Sequence, residues 1–155
     1  MRMSNGVEWA LHTLLNLDML GGGPVGSGRL AQAHALPASY LNKQLQHLVR
    51  AGLLVSVPGP RGGFRLARPL ADTTLRDVVE AIEGDARLFQ CTEIRCCGSI
   101  GELTPRPTTA CAVKLAMQRA DDAWRQALEA QTLADIREEL DRTPHIGRAV
   151  RSALG

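Results

Sequence analysis

The side chains with the greatest capacity for chemistry are four cysteines, Cys91, Cys96, Cys97 and Cys111, and an acid–imidazole pair, Glu8 and His12. Cys91 and Cys111 flank a segment that contains the adjacent Cys96 and Cys97, a spacing unlike the paired C-x-x-C knuckles of a zinc ribbon. Thiolates are soft ligands suited to iron–sulfur clusters, and clusters also accept imidazole in place of thiolate. Glu8 and His12 are four positions apart and so project from one face of a helix. Such a pair is either a surface contact worth roughly a few tenths of a kcal/mol or half of a metal site. Cys96 and Cys97 make a poor disulfide with each other, because a bridge between chain neighbours is strained.

Compartment decides how to read the thiols. No run reaches the roughly 18–20 apolar residues of a membrane helix, and Glu8 and His12 interrupt any leader-like apolar core. The expectation is a cytoplasmic protein with no membrane association. In that reducing setting, four cysteines point to metal or redox chemistry rather than to structural disulfides.

The elements that must position these groups are mostly helical. Hydrophobic residues are 45% of the chain but aromatics only 3%, so the core must be Leu, Val, Ala and Ile. Residues 6–20 carry Val7, Leu11, Leu14, Leu15 and Leu17 at helical spacing, and GGGPVGS breaks that helix. Ser27 opens a short helix, SGRLAQAHA. Beyond Pro37 a third helix places Leu41, Leu45 and Leu48 on one face, and Gly52 ends it. LLVSV and FRLAR then flank a Pro/Gly-rich turn, the signature of a β-hairpin. Two short helices about a tight turn, followed by a hairpin, make a winged helix-turn-helix.

Asp72, Thr73 and Thr74 cap a helix carrying Leu75, Val78, Val79 and Ile82. Residues 84–110 lack periodicity and read as a long loop, either functional or disordered. Residues 111–130 form a long helix with Val113, Ala116, Met117, Ala120, Trp124 and Leu128 on one stripe, and Trp124 reads as core. Thr132 starts a further helix, and the Arg-rich tail after Pro144 is expected to fray. The expected organisation is a DNA-binding domain over 1–84, a cysteine-bearing loop over 85–110, and a long helix with C-terminal helices over 111–155.

Charge sharpens the functional reading. The overall +2 divides into +5 over residues 1–70 (seven Lys/Arg against Glu8 and Asp18) and −3 over residues 71–155 (eleven against fourteen). A basic N-terminal half is suited to a polyanion. On the third helix Ser39 and Tyr40 are expected to donate to phosphates, and Lys43 and Gln44 to reach base edges. Arg29 joins this basic surface. In the hairpin turn Gly59, Gly62 and Gly63 allow close backbone approach, Arg61 is placed to enter a minor groove, and Arg65 to contact phosphate. An enzyme is disfavoured. There is no C-x-x-C beside a βαβ pattern, no phosphate-binding glycine loop and no nucleophile–base motif.

The run YLNKQLQHLVRAGL followed by GPRGGFRLAR carries the pattern Y-L-x-x-x-L-x-x-L-x-x-A-G-L and then G-x-x-G-G-[YF]-x-L-A-R. In this the chain resembles the winged-helix iron–sulfur transcription regulators that include IscR, NsrR and RsrR. The resemblance extends through TLRDVVEAIEG to TLADI. It implies a homodimer whose long C-terminal helix crosses to the partner, and binding to a palindromic double-stranded DNA operator, often as a repressor.

GVEWALH and the block CTEIR…AC are most similar to the RsrR type, whose [2Fe–2S] cluster is held by Glu, His and two Cys. The resemblance implies Glu8 and His12 from one protomer and Cys91 and Cys111 from the other as ligands. It also implies a redox sensor. Cys96 and Cys97 depart from that pattern and leave open a three-cysteine cluster of the NsrR type, a [4Fe–4S] nitric-oxide sensor. Trp9, beside Glu8, is a candidate to couple the cluster to the DNA-reading helices. A cluster-free regulator whose thiols meet oxidants or electrophiles directly is the remaining alternative.

Overall fold

A computed structural model describes residues 3–103 and 106–155; residues 104 and 105 of the expected loop lie outside them. In chain order the elements are α1 (Asn5–Met19), α2 (Ser27–Ala33), α3 (Ala38–Arg50), β1 (Leu54–Val57), β2 (Gly63–Leu66), α4 (Leu75–Glu83), α5 (Gly98–Leu103), α6 (Ala112–Glu129), α7 (Leu133–Asp141) and α8 (Pro144–Leu154). Single 3-10 turns occupy Leu70–Asp72 and Ile94–Cys96. The chain is thus mainly helical with one antiparallel hairpin, as its composition leads one to expect.

The elements fall into two compact units, one of residues 86–127 and the other of the N-terminal residues to 85 together with 128–155. In this division α7 and α8 belong with the N-terminal residues. Their sequences explain it. Leu133 is fully buried and Leu154 nearly so, both in the same cluster as Leu14, Leu30, Leu41, Leu45 and Leu48. The tail is therefore not frayed. Pro144 sits in the first turn of α8, where its missing N–H costs nothing, and the helix ends on a buried leucine.

Within the larger unit, α1 packs against α3, α4, α7 and α8. Two capping boxes close a seam. The Thr74 hydroxyl accepts from the Asp77 backbone N–H while the Asp77 carboxylate accepts from the Thr74 N–H, and Thr132 and Asp135 repeat the arrangement. The two caps lie side by side: Leu75 N–H donates to the Gln131 carbonyl at 2.9 Å, and Leu133 N–H to the Thr73 carbonyl at 2.8 Å. Thr74, not Asp72, is the capping residue; Asp72 lies in the preceding 3-10 turn.

The hairpin pairs Leu54 with Leu66 and Val57 with Gly63. Phe64 exchanges backbone hydrogen bonds with Val25 at 2.9 and 3.0 Å, which ties the wing to the start of α2. Gly63 makes this possible. A Cβ there would lie 2.3 Å from the Val25 carbonyl oxygen, and its φ of +146° lies outside the range of ordinary side chains.

Candidate nucleic-acid interface and metal centre

The helix-turn-helix is α2, a tight turn over 34–37, and α3. Leu41, Leu45 and Leu48 are at most 1% exposed, so α3 has one face fixed to the core. Its exposed residues are Ala38, Ser39, Tyr40, Asn42, Lys43, Gln46 and Arg50. The spacing from Ser39 through Asn42, Lys43, Gln46 and Arg50 is a single helical stripe.

Gln44 is not on it. Only 8% of its surface is exposed, and its Oε1 approaches the backbone of Gly6 on α1. The expectation that Gln44 faces outward is corrected by this burial: position 44 follows the leucine at 41 by three and precedes the leucine at 48 by four, which places it on the core face. Asn42 and Gln46 were missed, although stepping three and seven positions from Ser39 finds both.

On the wing Arg61 and Arg65 are exposed, and Arg65 makes a 3.4 Å contact to the Leu66 carbonyl. Lys43 and Arg61 have no hydrogen-bond or ion-pair partner among the described residues, so their charges face solvent. Arg29, also exposed, donates to the Gly155 carbonyl at 2.6 Å.

Helix α1 sits directly behind this surface. Ser4 donates to Glu83 on α4 from its backbone N–H (2.8 Å) and its hydroxyl (2.6 Å). A Cβ on Gly6 would come within 3.1 Å of Ile82, Gln44 and Ser4, so α1 begins in close contact with both α3 and α4. Glu8 and His12 are exposed and line an open cleft of about 340 Å³ along the first turns of α1. Trp9 stands edge-on to Tyr40 of α3, with ring centroids 4.6 Å apart.

His34 is half-buried at the end of α2. Its Nε2 lies 2.9 Å from Asn16 Nδ2 of α1, and its ring is 6.5 Å from that of His12. Burial, and then the nearby His12, hold its pKa below the ordinary histidine value. It therefore stays neutral and accepts the Asn16 amide hydrogen bond.

All four thiols are free and belong to the smaller unit. Cys91 and Cys111 are partly buried, whereas Cys96 and Cys97 are exposed. Cys111 caps the N-terminus of α6, where the backbone N–H of Lys114, assisted by that of Val113 and by the Arg95 charge, outweighs burial and lowers its thiol pKa. Cys91 Sγ lies 3.7 Å from Glu93, and Glu93 pairs with Arg95 at 2.9 Å.

Trp124 is only partly buried and lies outside the core cluster, correcting its assignment as core. In the expected stripe of α6 only Leu128 is buried; Val113 is 61% and Met117 40% exposed. Asp121 is buried instead, paired with Arg125 and Arg87 at 3.3 Å each.

The donor set suits an iron–sulfur cluster in kind: two thiols, one of them biased toward thiolate, and an exposed carboxylate–imidazole pair with space beside it. Among the described residues no three His, Cys, Asp or Glu side chains of one chain converge on a point. No described helix is long and apolar enough to cross a membrane.

Comparison with known proteins places this architecture. The chain is 33% identical over 144 residues to YwgB of Bacillus subtilis, named as a helix-turn-helix-type transcriptional regulator, covering 90% of this chain and 86% of that one. It is 30% identical over 136 residues to protein aau3 of Rhizobium meliloti, covering 88% and 84%. Among solved structures, CymR of B. subtilis, described as the global cysteine regulator, superposes with a TM-score of 0.69 at 24% identity, over 90% of this chain and 98% of that one. T. potens IscR gives 0.65 at 22% identity, over 92% and 90%. At those identities the likeness is one of fold. The model of a family described as iron-dependent transcriptional regulators matches residues 3–139, so the chain belongs to the Rrf2 family of DNA-binding transcription regulators.

Proposed function

We propose that this regulator is a cytoplasmic homodimeric repressor whose operator affinity is set by a [2Fe–2S] cluster. Glu8 and His12 of one protomer and Cys91 and Cys111 of the other would hold it. The observation that carries the reading is the pairing of donors: an exposed carboxylate–imidazole pair on α1, and two partly buried cysteines, one of them at the start of α6 where backbone N–H groups lower its thiol pKa. Neither pair fills a coordination shell alone. The exposed apolar stripe of α6 supports association of two copies, which brings two such half-sites into one particle.

When bound, the cluster supplies reversible one-electron chemistry, and neutral His ligation favours the reduced form more than a third thiolate would. This chain's residues do the rest. Glu8 and His12 fix the first turns of α1. Trp9, between them in sequence, bears on Tyr40, an exposed residue in the first turn of α3. Asn16 bears on His34 at the helix-turn-helix turn. A changed force on Glu8 or His12 therefore reaches the DNA-reading helix through two contacts. In a dimer that force alters the spacing of the two reading heads.

The decisive experiment is anaerobic purification followed by visible spectroscopy. Absorption that changes reversibly with dithionite and air is expected, and Cys91→Ala or Cys111→Ala should abolish it. Retained colour in both variants discards the ligand set, and colour that instead requires Cys96 or Cys97 identifies the three-cysteine [4Fe–4S] alternative. A second reading, direct thiol sensing without a cluster, is favoured by the exposure of Cys96 and Cys97 and by the likeness to S. aureus CymR, solved in an oxidized form, at 26% identity. A colourless protein that binds its operator in a thiol-dependent way selects that reading.

A further inference from the structure

Between Cys91 and Cys111 the described residues form a 3-10 turn, Ile94–Cys96, and the short helix α5. The two ends of this segment must present their thiols together if they are to share one ligand, and closing such a connection costs entropy that grows with its length. A chain of contacts spans it. The Cys91 thiol meets Glu93 Oε1 at 3.7 Å. Glu93 Oε2 accepts from Arg95 Nε at 2.9 Å. Arg95 Nη2 donates to the Thr109 carbonyl at 2.8 Å, two residues before Cys111.

The backbone is bent to allow this. Glu93 has φ +53° and ψ +43°, a left-handed conformation unfavourable for a residue with a side chain. It starts the 3-10 turn Ile94–Cys96, closed by Cys96 N–H donating to the Glu93 carbonyl at 2.8 Å. Gly101 lies against that turn so closely that a Cβ would fall 2.3 Å from the Cys96 carbonyl carbon. The Arg95 charge is also felt at Cys111 and Cys96.

We propose that Arg95 is a positioning residue that, through Glu93 on one side and the Thr109 carbonyl on the other, holds the Cys91 and Cys111 segments in register before any metal arrives. This deepens the cluster reading given above and rests on it for its purpose, but not for its test. The planar guanidinium is essential to the role. It directs two donors at two acceptors in fixed geometry, which a lysine ammonium does not.

The test uses cluster-free, reduced full-length protein with Cys96 and Cys97 replaced by Ser, so that Cys91 and Cys111 are the only thiols. Dibromobimane becomes fluorescent when it bridges two thiols, and the mass of the denatured chain identifies the bridge as intramolecular. Arg95→Ala is expected to slow bridging roughly threefold or more, while single-thiol alkylation by iodoacetamide and far-UV circular dichroism stay unchanged. Arg95→Lys is expected to behave like Arg95→Ala. Glu93→Ala is expected to slow bridging too, with no further loss in the double variant, because both belong to one chain of contacts.

Unchanged bridging in Arg95→Ala overturns the proposal. So does full retention in Arg95→Lys, or independent additive losses from positions 93 and 95. A colourless wild-type protein whose Arg95→Ala variant bridges slowly would refute the cluster and leave the positioning role standing. A coloured protein with Arg95-independent bridging would refute only the positioning role.

Discussion

The two units of this chain use similar side chains and hold themselves together in different ways. In the larger, leucines from α1, α2, α3, β1, α7 and α8 meet in one cluster, and capping boxes close α4 and α7. In residues 86–127 no hydrophobic side chain is buried among those described. Seven of the nine large exposed hydrophobics lie there: Leu88, Ile94, Ile100, Leu103, Val113, Leu115 and Met117. This unit carries polar pairs instead: Arg87 and Arg125 with Asp121, and Arg95 with Glu93. A unit that leaves its apolar side chains uncovered gains little from its own burial and invites association. The DNA-reading unit is self-sufficient, whereas the cysteine-bearing unit is suited to being completed from outside.

The sharpest way to break this contrast is to remove side chains from each unit. Leu45 is fully buried, so Leu45→Ala should cost about 2–5 kcal/mol in urea denaturation. Ile94 is 79% exposed, so Ile94→Ala should stay within about 0.5 kcal/mol in the single chain. Comparable losses from both would mean that residues 86–127 have a core of their own.

The next largest effect is expected in association rather than folding. Val113→Asp places a charge on the exposed stripe of α6, and burying it unpaired between two copies should weaken dimers roughly thirtyfold or more. Light scattering over a concentration series reads this directly. An unchanged mass at every concentration would remove the stripe from the interface.

The interface with DNA offers an intermediate effect. Gln46→Ala should lose about 1–3 kcal/mol of discrimination at one base pair, measured against operator variants. Lys43→Ala should weaken operator binding and relax discrimination at the base pair it reads, at a defined salt concentration. Gln44→Ala should lower thermal stability while sparing base preference, because Gln44 is buried against α1. Lost base preference from Gln44→Ala alone would restore it to the DNA-facing set.

How much of this was legible in the sequence follows the same division. Apolar periodicity and Gly/Pro punctuation located α1 to α4 and the hairpin, because burial and turn chemistry are local signals there. The family resemblance suggested the proposed ligand set; residue spacing alone left Glu8 and His12 between a surface pair and a metal site. Gln44 was misplaced because its polarity was given more weight than its helical phase between Leu41 and Leu48. The α8 helix was mistaken for a frayed tail because its stability comes from Leu154 meeting a core built largely by residues more than a hundred positions earlier. The Glu93–Arg95 link was illegible for a related reason: it depends on a left-handed residue that is not glycine, which no local rule announces.

The smallest expected effect tests whether capping, as well as leucine burial, makes the DNA-reading unit self-sufficient. Thr74→Ala removes the hydroxyl from one capping box and should cost about 1 kcal/mol in denaturant. The acid limb carries a sign. Burial alone pushes the Asp77 carboxyl up, but the Thr74 N–H and hydroxyl and the Arg68 guanidinium at 2.8 Å outweigh it and hold the pKa below the ordinary aspartate value. A carboxyl depressed in the folded state contributes fully above its unfolded pKa, and that contribution is lost as pH falls through the folded value. The stability gap between the parent and Asp77→Asn should therefore be constant near neutrality and shrink on acidification below about pH 4. A gap that widened on acidification would mean that Asp77 is held protonated in the fold, and the seam between Thr74 and Thr132 would then need another source of its stability.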